Sequence, residues 1–216
     1  MRNVVLMGPP GSGKGTQASR LSESFGLEHV STGEILRAAV RGHSELGLKV
    51  ESILAAGELV PDDLMMVLIR ETLATVSVGG AGWLLDGFPR TKPQAEGLVE
   101  VLEDLGIEAP TVVEIVVPDE EIVERLSGRL TCDKASHVTA KGDAKEGDPC
   151  PECDGALYIR ADDTPETVRN RLNVFRAKTE PAKAELARNW PVVQVNGLGR
   201  PADVTQRIAG VLEAEH

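Results

Sequence analysis

Short apolar runs separated by longer stretches of helical periodicity organise this chain. Val4-Val5-Leu6-Met7 comes first, and Trp83-Leu84-Leu85, Val112 to Val117 and Val192-Val193-Gln194-Val195 follow, with Glu28-His29-Val30 as a shorter fifth. Apolar residues at successive positions predict strands buried on both faces, because a sheet wetted on one side alternates instead. Between the runs, apolar residues recur at helical spacing near 62–76, 92–105, 119–128, 165–188 and 201–213. This alternation predicts an α/β fold: a doubly wound parallel sheet of about five strands with helices on both faces. The helix over 165–188 is the best marked. Thr164 suits an N-cap, Pro165 suits the first helical position, and Val168, Leu172, Phe175, Ala182 and Leu186 form one apolar face.

Two segments fall outside the alternation. Residues 32–61 read as two short helices between strands, and residues 129–163 change composition, gathering the cysteines and several glycine-rich turns without a long periodic pattern. Both read as lobes inserted into a core built from residues 1–31, 62–128 and 164–216.

Composition narrows the class. No apolar run approaches about 18 residues, so no membrane span is expected. Met1-Arg2-Asn3-Val4-Val5-Leu6 is too soon interrupted by glycine for a signal peptide, so a cytoplasmic protein is expected. The formal charge is −11, from 34 acidic and 23 basic residues. That balance disfavours a nucleic-acid partner, which needs a concentrated basic patch. The basic residues that stand out are isolated arginines, which suit a small phosphate-bearing ligand.

The chemistry begins at Gly8-Pro9-Pro10-Gly11-Ser12-Gly13-Lys14-Gly15-Thr16, between the first strand and the first helix. It fits the P-loop pattern G-x-x-x-x-G-K, with Gly15 where a hydroxyl residue is usual. Gly11, Ser12, Gly13, Lys14, Gly15 and Thr16 are the candidate ATP-binding positions. Glycines let backbone N–H groups converge on phosphate oxygens, the helix N-terminus adds positive potential, and Lys14 supplies a mobile charge. The hydroxyl that would serve Mg²⁺ is shifted to Thr16.

This G-K-G-T form resembles the nucleoside-monophosphate kinase family, and the resemblance continues along most of the chain. Ser31-Thr32-Gly33-Glu34-Ile35-Leu36-Arg37 is similar to the family's S-T-G-D-x-L-R motif, with Glu34 in place of Asp. The resemblance implies that Thr32 and Arg37 bind AMP; Thr32 favours AMP because the pyrimidine-specific relatives commonly carry Ala there. Ser31 and Glu34 also have capping-box spacing, and both readings hold together. Gly57-Glu58-Leu59-Val60-Pro61-Asp62 resembles the segment whose backbone at Leu59 and Val60 borders the acceptor base. Asp86-Gly87-Phe88-Pro89-Arg90, followed by Gln94, comes directly after the Trp83-Leu84-Leu85 strand, and ligands of open α/β sheets bind at such strand ends. By resemblance Asp86 organises Mg²⁺ through water, Gly87 belongs to the AMP site, Arg90 contacts the phosphates, and Gln94 reads adenine. The stretch Val195 to Pro201 resembles the loop near the ATP base.

The resemblance further assigns Arg125, Arg129, Arg160 and Arg171 to the phosphates; surface salt bridges are the alternative for each. Arg125 and Arg129 would share a helix face if the helix near 128 continues that far, and Asp162 and Asp163 either pair with these arginines or cap the next helix. Phosphoryl transfer explains such a cluster. Its transition state spreads negative charge over moving oxygens, so catalysis is positioning and cationic stabilisation, with Lys14, Arg90 and the four arginines as candidate catalytic groups beside Asp86. AMP already carries an anionic phosphate, so no general base is required, and closure of the two lobes must exclude water.

Cys150-Pro151-Glu152-Cys153 has knuckle spacing, with Cys132 upstream. Many members of the family carry a four-ligand structural zinc here, but Ala135 occupies the second ligand position of this chain. His137 is the substitute fourth ligand, with Asp133 as another, and three reduced thiols without metal are the alternative. The expected partners are ATP, AMP and ADP with Mg²⁺, on a monomer. A kinase for another monophosphate and a zinc-ribbon module on a nucleotide-switch ATPase are the rival readings.

Overall fold

The structure is a computed structural model that describes residues 2–134, 138–140 and 144–214. β1 (Val4–Met7) lies at the centre of a five-stranded, wholly parallel sheet. β2 (Glu28–Ser31), β3 (Trp83–Asp86), β4 (Thr111–Val116) and β8 (Val192–Asn196) complete it in the order β2-β3-β1-β4-β8. Val5 sits in register between Leu85 and Val112.

Successive side chains of a strand point to opposite faces, and both faces are covered. Val5, Met7, Trp83, Leu85 and Val112 pack with α4 (Asp62–Ser77), α5 (Lys92–Asp104) and α8 (Glu180–Leu186). Val4, Leu6, Leu84 and Val113 pack on the other side with α1 (Lys14–Phe25), α6 (Asp119–Ser127), α7 (Pro165–Val174) and α9 (Pro201–Ala214). Each large side chain buried this way contributes roughly 1.5–3 kcal/mol, so the two aliphatic clusters carry the stability of a chain poor in aromatics. The outer strands depart from the expectation of full burial. Val192 and Val193 are only half-buried and β2 buries Val30 alone, because each edge strand has a neighbour on one side.

Between β2 and α4 lie α2 (Thr32–Arg41) and α3 (Glu45–Ala55). Ser31 Oγ accepts the Glu34 N–H at 3.4 Å and Ser44 Oγ accepts the Gly47 N–H at 3.1 Å, so each helix has a side-chain N-cap. A Cβ at Gly47 would lie 2.1 Å from the Ala39 carbonyl oxygen; only glycine lets the two backbones cross so closely.

β5 (Arg129–Cys132), β6 (Val138–Ala140) and β7 (Leu157–Tyr158) form a separate antiparallel sheet ordered β6-β5-β7. Among the described residues its buried apolar cluster is small: Leu130, Cys132, Cys150 and Leu157. The expected shared helix face of Arg125 and Arg129 does not form. α6 ends at Ser127, Gly128 closes it, and Arg129 opens a strand.

The single helix expected over 165–188 is also interrupted. A π-turn, Phe175–Thr179, joins α7 to α8. Pro181, near the start of α8, has no N–H to donate, and its ring would collide with the Ala177 carbonyl in a regular helix; the wider turn accommodates both constraints. Thr164 caps α7 as expected, its Oγ1 accepting the Thr167 N–H at 3.2 Å.

Candidate active site

The carboxyl ends of β1 and β3 open into a cavity of about 1150 Å³. Beneath it the phosphate loop turns on Gly8, Gly11 and Gly13, all at positive φ. A Cβ at Gly8 would meet the Ile115 carbonyl oxygen at 2.5 Å, so the loop also lies against β4. Lys14 Nζ donates to the carbonyl oxygens of Gly8 (2.7 Å) and Pro9 (2.8 Å). Burial pushes the Lys14 pKa down to about 7; Asp86 opposes this, while Arg90, Arg171 and Arg129 add to it. Negative charge entering the cavity would reverse that balance.

Asp86 ends β3 beside this loop. Burial raises its pKa, but His29, Lys14 and Arg90 outweigh burial and hold the carboxyl below its ordinary range. His29 Nε2 stands 3.9 Å from Asp86 Oδ2. A Cβ at Gly15 would lie 3.6 Å from that oxygen, so the residue that replaces the usual hydroxyl faces the carboxylate. An anionic carboxylate between Lys14 and the phosphate loop is a donor set that fits Mg²⁺ bound through water.

At the start of α2 Thr32, 1% exposed, donates from Oγ1 to the Gly87 carbonyl at 3.0 Å. Gly87 has φ 86°, and a Cβ there would stand 2.9 Å from both Thr32 and Arg90. Arg90 Nε donates to the same Gly87 carbonyl at 2.7 Å. Behind it, Thr179 Oγ1 donates to the Arg90 carbonyl at 2.9 Å, so the π-turn fixes the Arg90 backbone. Arg37 pairs with Glu34 at 3.2 Å, and Leu59, Val60 and Gln94 complete this wall.

Arg129, Arg160 and Arg171 are held by two carboxylates. Arg129 Nε donates to Asp163 Oδ2 at 2.7 Å, and Arg171 Nη1 donates to Asp163 Oδ1 at 3.1 Å. Arg160 grips Asp162 with Nε and Nη2 at 2.8 and 2.6 Å. Both aspartates thus pair with arginines, and Thr164 does the capping. Burial lowers the Arg171 pKa to about 10, with Asp162 and Asp163 opposing and Arg160 and Arg129 reinforcing. Arg125 stands at the far end, donating from Nη2 to the Gly197 carbonyl at 3.1 Å. The loop that follows contributes Gly197, Gly199 and Pro201 to the wall.

Gly11, Ser12, Gly13, Lys14, Gly15, Thr16, Thr32, Arg37, Leu59, Val60, Asp86, Gly87, Arg90, Gln94, Arg125, Arg129, Arg160 and Arg171 therefore all line one space. Sequence reading passed over His29, Asp62 and Thr179. His29 sat inside an expected strand and Thr179 inside an expected helix, so neither carried a motif. Asp62 looked like part of a proline-marked helix start.

The sulfurs of Cys132, Cys150 and Cys153 lie within 4.8 Å of one another, as thiols rather than disulfides. Gly155 N–H bonding to Cys153 Sγ favours the thiolate, yet the Cys132 and Cys150 thiols and desolvation outweigh it and hold the pKa up at about 11. Three converging sulfurs in a lobe with so small a core fit a structural zinc, whose charge would favour the thiolates. His137, the expected fourth ligand, lies outside the described residues. Asp133 Oδ1 instead accepts the Ala156 N–H at 2.9 Å.

What the cavity can do is hold a polyphosphate against a second phosphate and neutralise the charge that moves between them, which is the work of a P-loop phosphotransferase. Comparison with known proteins narrows the class. The family model described as adenylate kinase matches residues 6–185. An adenylate kinase of Methanothrix thermoacetophila is 42% identical over 212 residues, covering 97% of this chain and 98% of the relative. Those of Carboxydothermus hydrogenoformans and Streptomyces griseus are 41% identical over 213 residues and 40% over 215, covering 97% and 98% of this chain and 99% and 97% of the relatives. The chain belongs to the adenylate kinase family. Its reaction is the reversible phosphoryl transfer between ATP and AMP that yields two ADP.

Proposed function

We propose that transfer is direct and in line, with the roles divided among the residues that line the cavity. Gly11, Ser12, Gly13, Lys14, Gly15 and Thr16 hold the ATP phosphates, with Arg125 and Arg129 above them. Thr32, Arg37, Leu59, Val60, Gly87, Arg90, Gln94, Arg160 and Arg171 hold AMP. The observation that carries this reading is the convergence of Lys14, Asp86, Arg90, Arg125, Arg129, Arg160 and Arg171 on one cavity.

The AMP phosphate is already an anion, so nothing needs to deprotonate it. Lys14 and the arginines counter the charge spread over the moving oxygens, and preformed hydrogen bonds keep their orientation through the reaction. Asp86 would hold Mg²⁺ through water, and the ion would supply positive charge against the phosphates. Segments 32–61 and 129–163 act as covers for the acceptor and donor, and their closure keeps water from taking the phosphoryl group. Zn²⁺ held by Cys132, Cys150, Cys153 and His137 would brace the second cover and take no part in the chemistry. The protein acts as a cytoplasmic monomer on ATP, AMP and ADP, without nucleic acid or membrane.

The test is ADP formation from Mg-ATP with AMP, CMP, UMP and GMP in parallel. AMP should lead by a wide margin. Equal rates with a pyrimidine monophosphate would refute the acceptor assignment, and Lys14→Met with unchanged kcat would refute the phosphate-loop role.

A further inference from the structure

Gln94 is held at both ends of its amide. Its Oε1 accepts the Arg90 backbone N–H at 2.8 Å, and its Nε2 donates to Asp62 Oδ1 at 2.8 Å. Neither partner can exchange roles, since a backbone N–H only donates and a carboxylate only accepts. Turning the amide over would set oxygen against carboxylate and N–H against N–H, so two bonds would become two repulsions. Asp62 is itself anchored: Thr91 Oγ1 donates to the same Oδ1 at 2.8 Å and accepts the Gln94 backbone N–H at 3.2 Å. Gln94 is 2% exposed and lines the cavity, whereas Asp62 stands behind it in the first turn of α4. With these bonds made, the amide still has one N–H and one oxygen lone pair to offer.

We infer that Asp62 determines base specificity by locking the Gln94 amide in the one orientation that matches a 6-aminopurine and mismatches a 6-oxopurine. The inference rests on the proposed reading of Gln94 as the residue that contacts the acceptor base. Adenine places an amino donor at C6 beside an unprotonated ring nitrogen, so it needs an acceptor and a donor in that order. Hypoxanthine and guanine place a carbonyl at C6 and a proton on the neighbouring nitrogen, which needs the reverse. A glutamine free to turn would satisfy either base; a locked one satisfies only the first. Asp62 is therefore a positioning residue, acting on the substrate through Gln94. Its simpler role, an acidic residue stabilising a helix N-terminus, would affect all acceptors alike.

The experiment compares kcat/KM for AMP and IMP, with Mg-ATP as donor, in the wild-type enzyme, Asp62→Asn and Gln94→Ala. An asparagine can present either its oxygen or its NH₂ to Gln94. The AMP/IMP ratio should then fall at least about tenfold, with the KM for IMP improving while that for AMP worsens. Gln94→Ala should also collapse the ratio, but by loss of AMP alone. A parallel fall for both acceptors in Asp62→Asn, with the ratio intact, would leave Gln94 its role and overturn the lock. An intact ratio in Gln94→Ala would overturn the reading of Gln94 and the lock with it. If Asp62→Asn does not fold, NMR of the wild-type protein decides: a coupling across the hydrogen bond from Gln94 Nε2 to the Asp62 carboxylate is expected, and its absence refutes the lock.

Discussion

Adding nucleotide to the protein at pH 8 should draw close to one proton per chain out of solution, and Lys14 is the reason. With the cavity free of nucleotide, burial and the neighbouring arginines bring the Lys14 pKa to about 7. One pH unit above that value, about a tenth of the molecules carry the lysine proton. Phosphate oxygens on the loop favour the ammonium and return it toward its ordinary range near 10.5. Nearly every bound molecule is then protonated, so uptake at pH 8 is about 0.9 proton, and at pH 7 about half. Titration calorimetry in buffers of different ionisation enthalpy reads the number directly, as the slope of observed heat against that enthalpy. Lys14→Met should abolish the uptake. A slope near zero at pH 8 in the wild-type protein would mean that Lys14 is charged before ligand arrives, and the same slope in Lys14→Met would assign the proton elsewhere. Stability has a matching sign. Between about 7 and 10.5 the unfolded chain binds the lysine proton and the folded chain does not, so the nucleotide-free protein gains stability as pH rises through that window. Lys14 faces a cavity open to water, which reduces the size of this effect without changing its direction.

Three further outcomes are expected. Thr179→Val removes the hydroxyl that donates to the Arg90 carbonyl; it should cost about 1–3 kcal/mol in urea unfolding and lower kcat about tenfold, with Thr179→Ser close to wild type, whereas unchanged kinetics would disconnect the π-turn from Arg90. Asp163→Asn takes the charge from a carboxylate, 1% exposed, that Arg129 and Arg171 share; about 3–5 kcal/mol of stability should be lost, and a loss under about 0.5 kcal/mol would show the pairs to be dispensable. Elemental analysis of the reduced protein should find about one zinc per chain, and chelation should unfold the cysteine-bearing lobe first; a metal-free enzyme of equal heat stability would remove the site.

The parallel sheet and the site motifs were legible because each depends on local sequence. Val4 to Met7 is apolar at every position because both faces of its strand are covered, and the glycines of the phosphate loop are dictated by backbone angle. Less was legible where one residue answers to a distant one. The π-turn arises from Pro181 acting on Ala177, and nothing in the apolar spacing of 165–188 registers it. The small sheet over 129–158 carries little apolar alternation; among the described residues its buried apolar cluster is Leu130, Cys132, Cys150 and Leu157. Asp62 and Gln94 stand 32 positions apart, so their bond has no signature along the chain.

The carboxylates of the site explain how so many cations share one cavity in a chain of formal charge −11. Arg160 spends Nε and Nη2 on Asp162, and Arg171 spends Nη1 on Asp163 and on the Asp162 carbonyl. A guanidinium has five N–H groups, so each arginine keeps donors for phosphate while its plane is already fixed. The aspartates therefore do not compete for the substrate's place; they set the angle from which the remaining N–H groups approach. Burial lowers the pKa of both Lys14 and Arg171, and the neighbouring arginines add to it; an anion in the cavity would act the other way. Substrate phosphate would therefore offset repulsion among these cations. On the proposed assignment of these groups, phosphate in the cavity would favour its closure, which would couple closure to the presence of something to transfer.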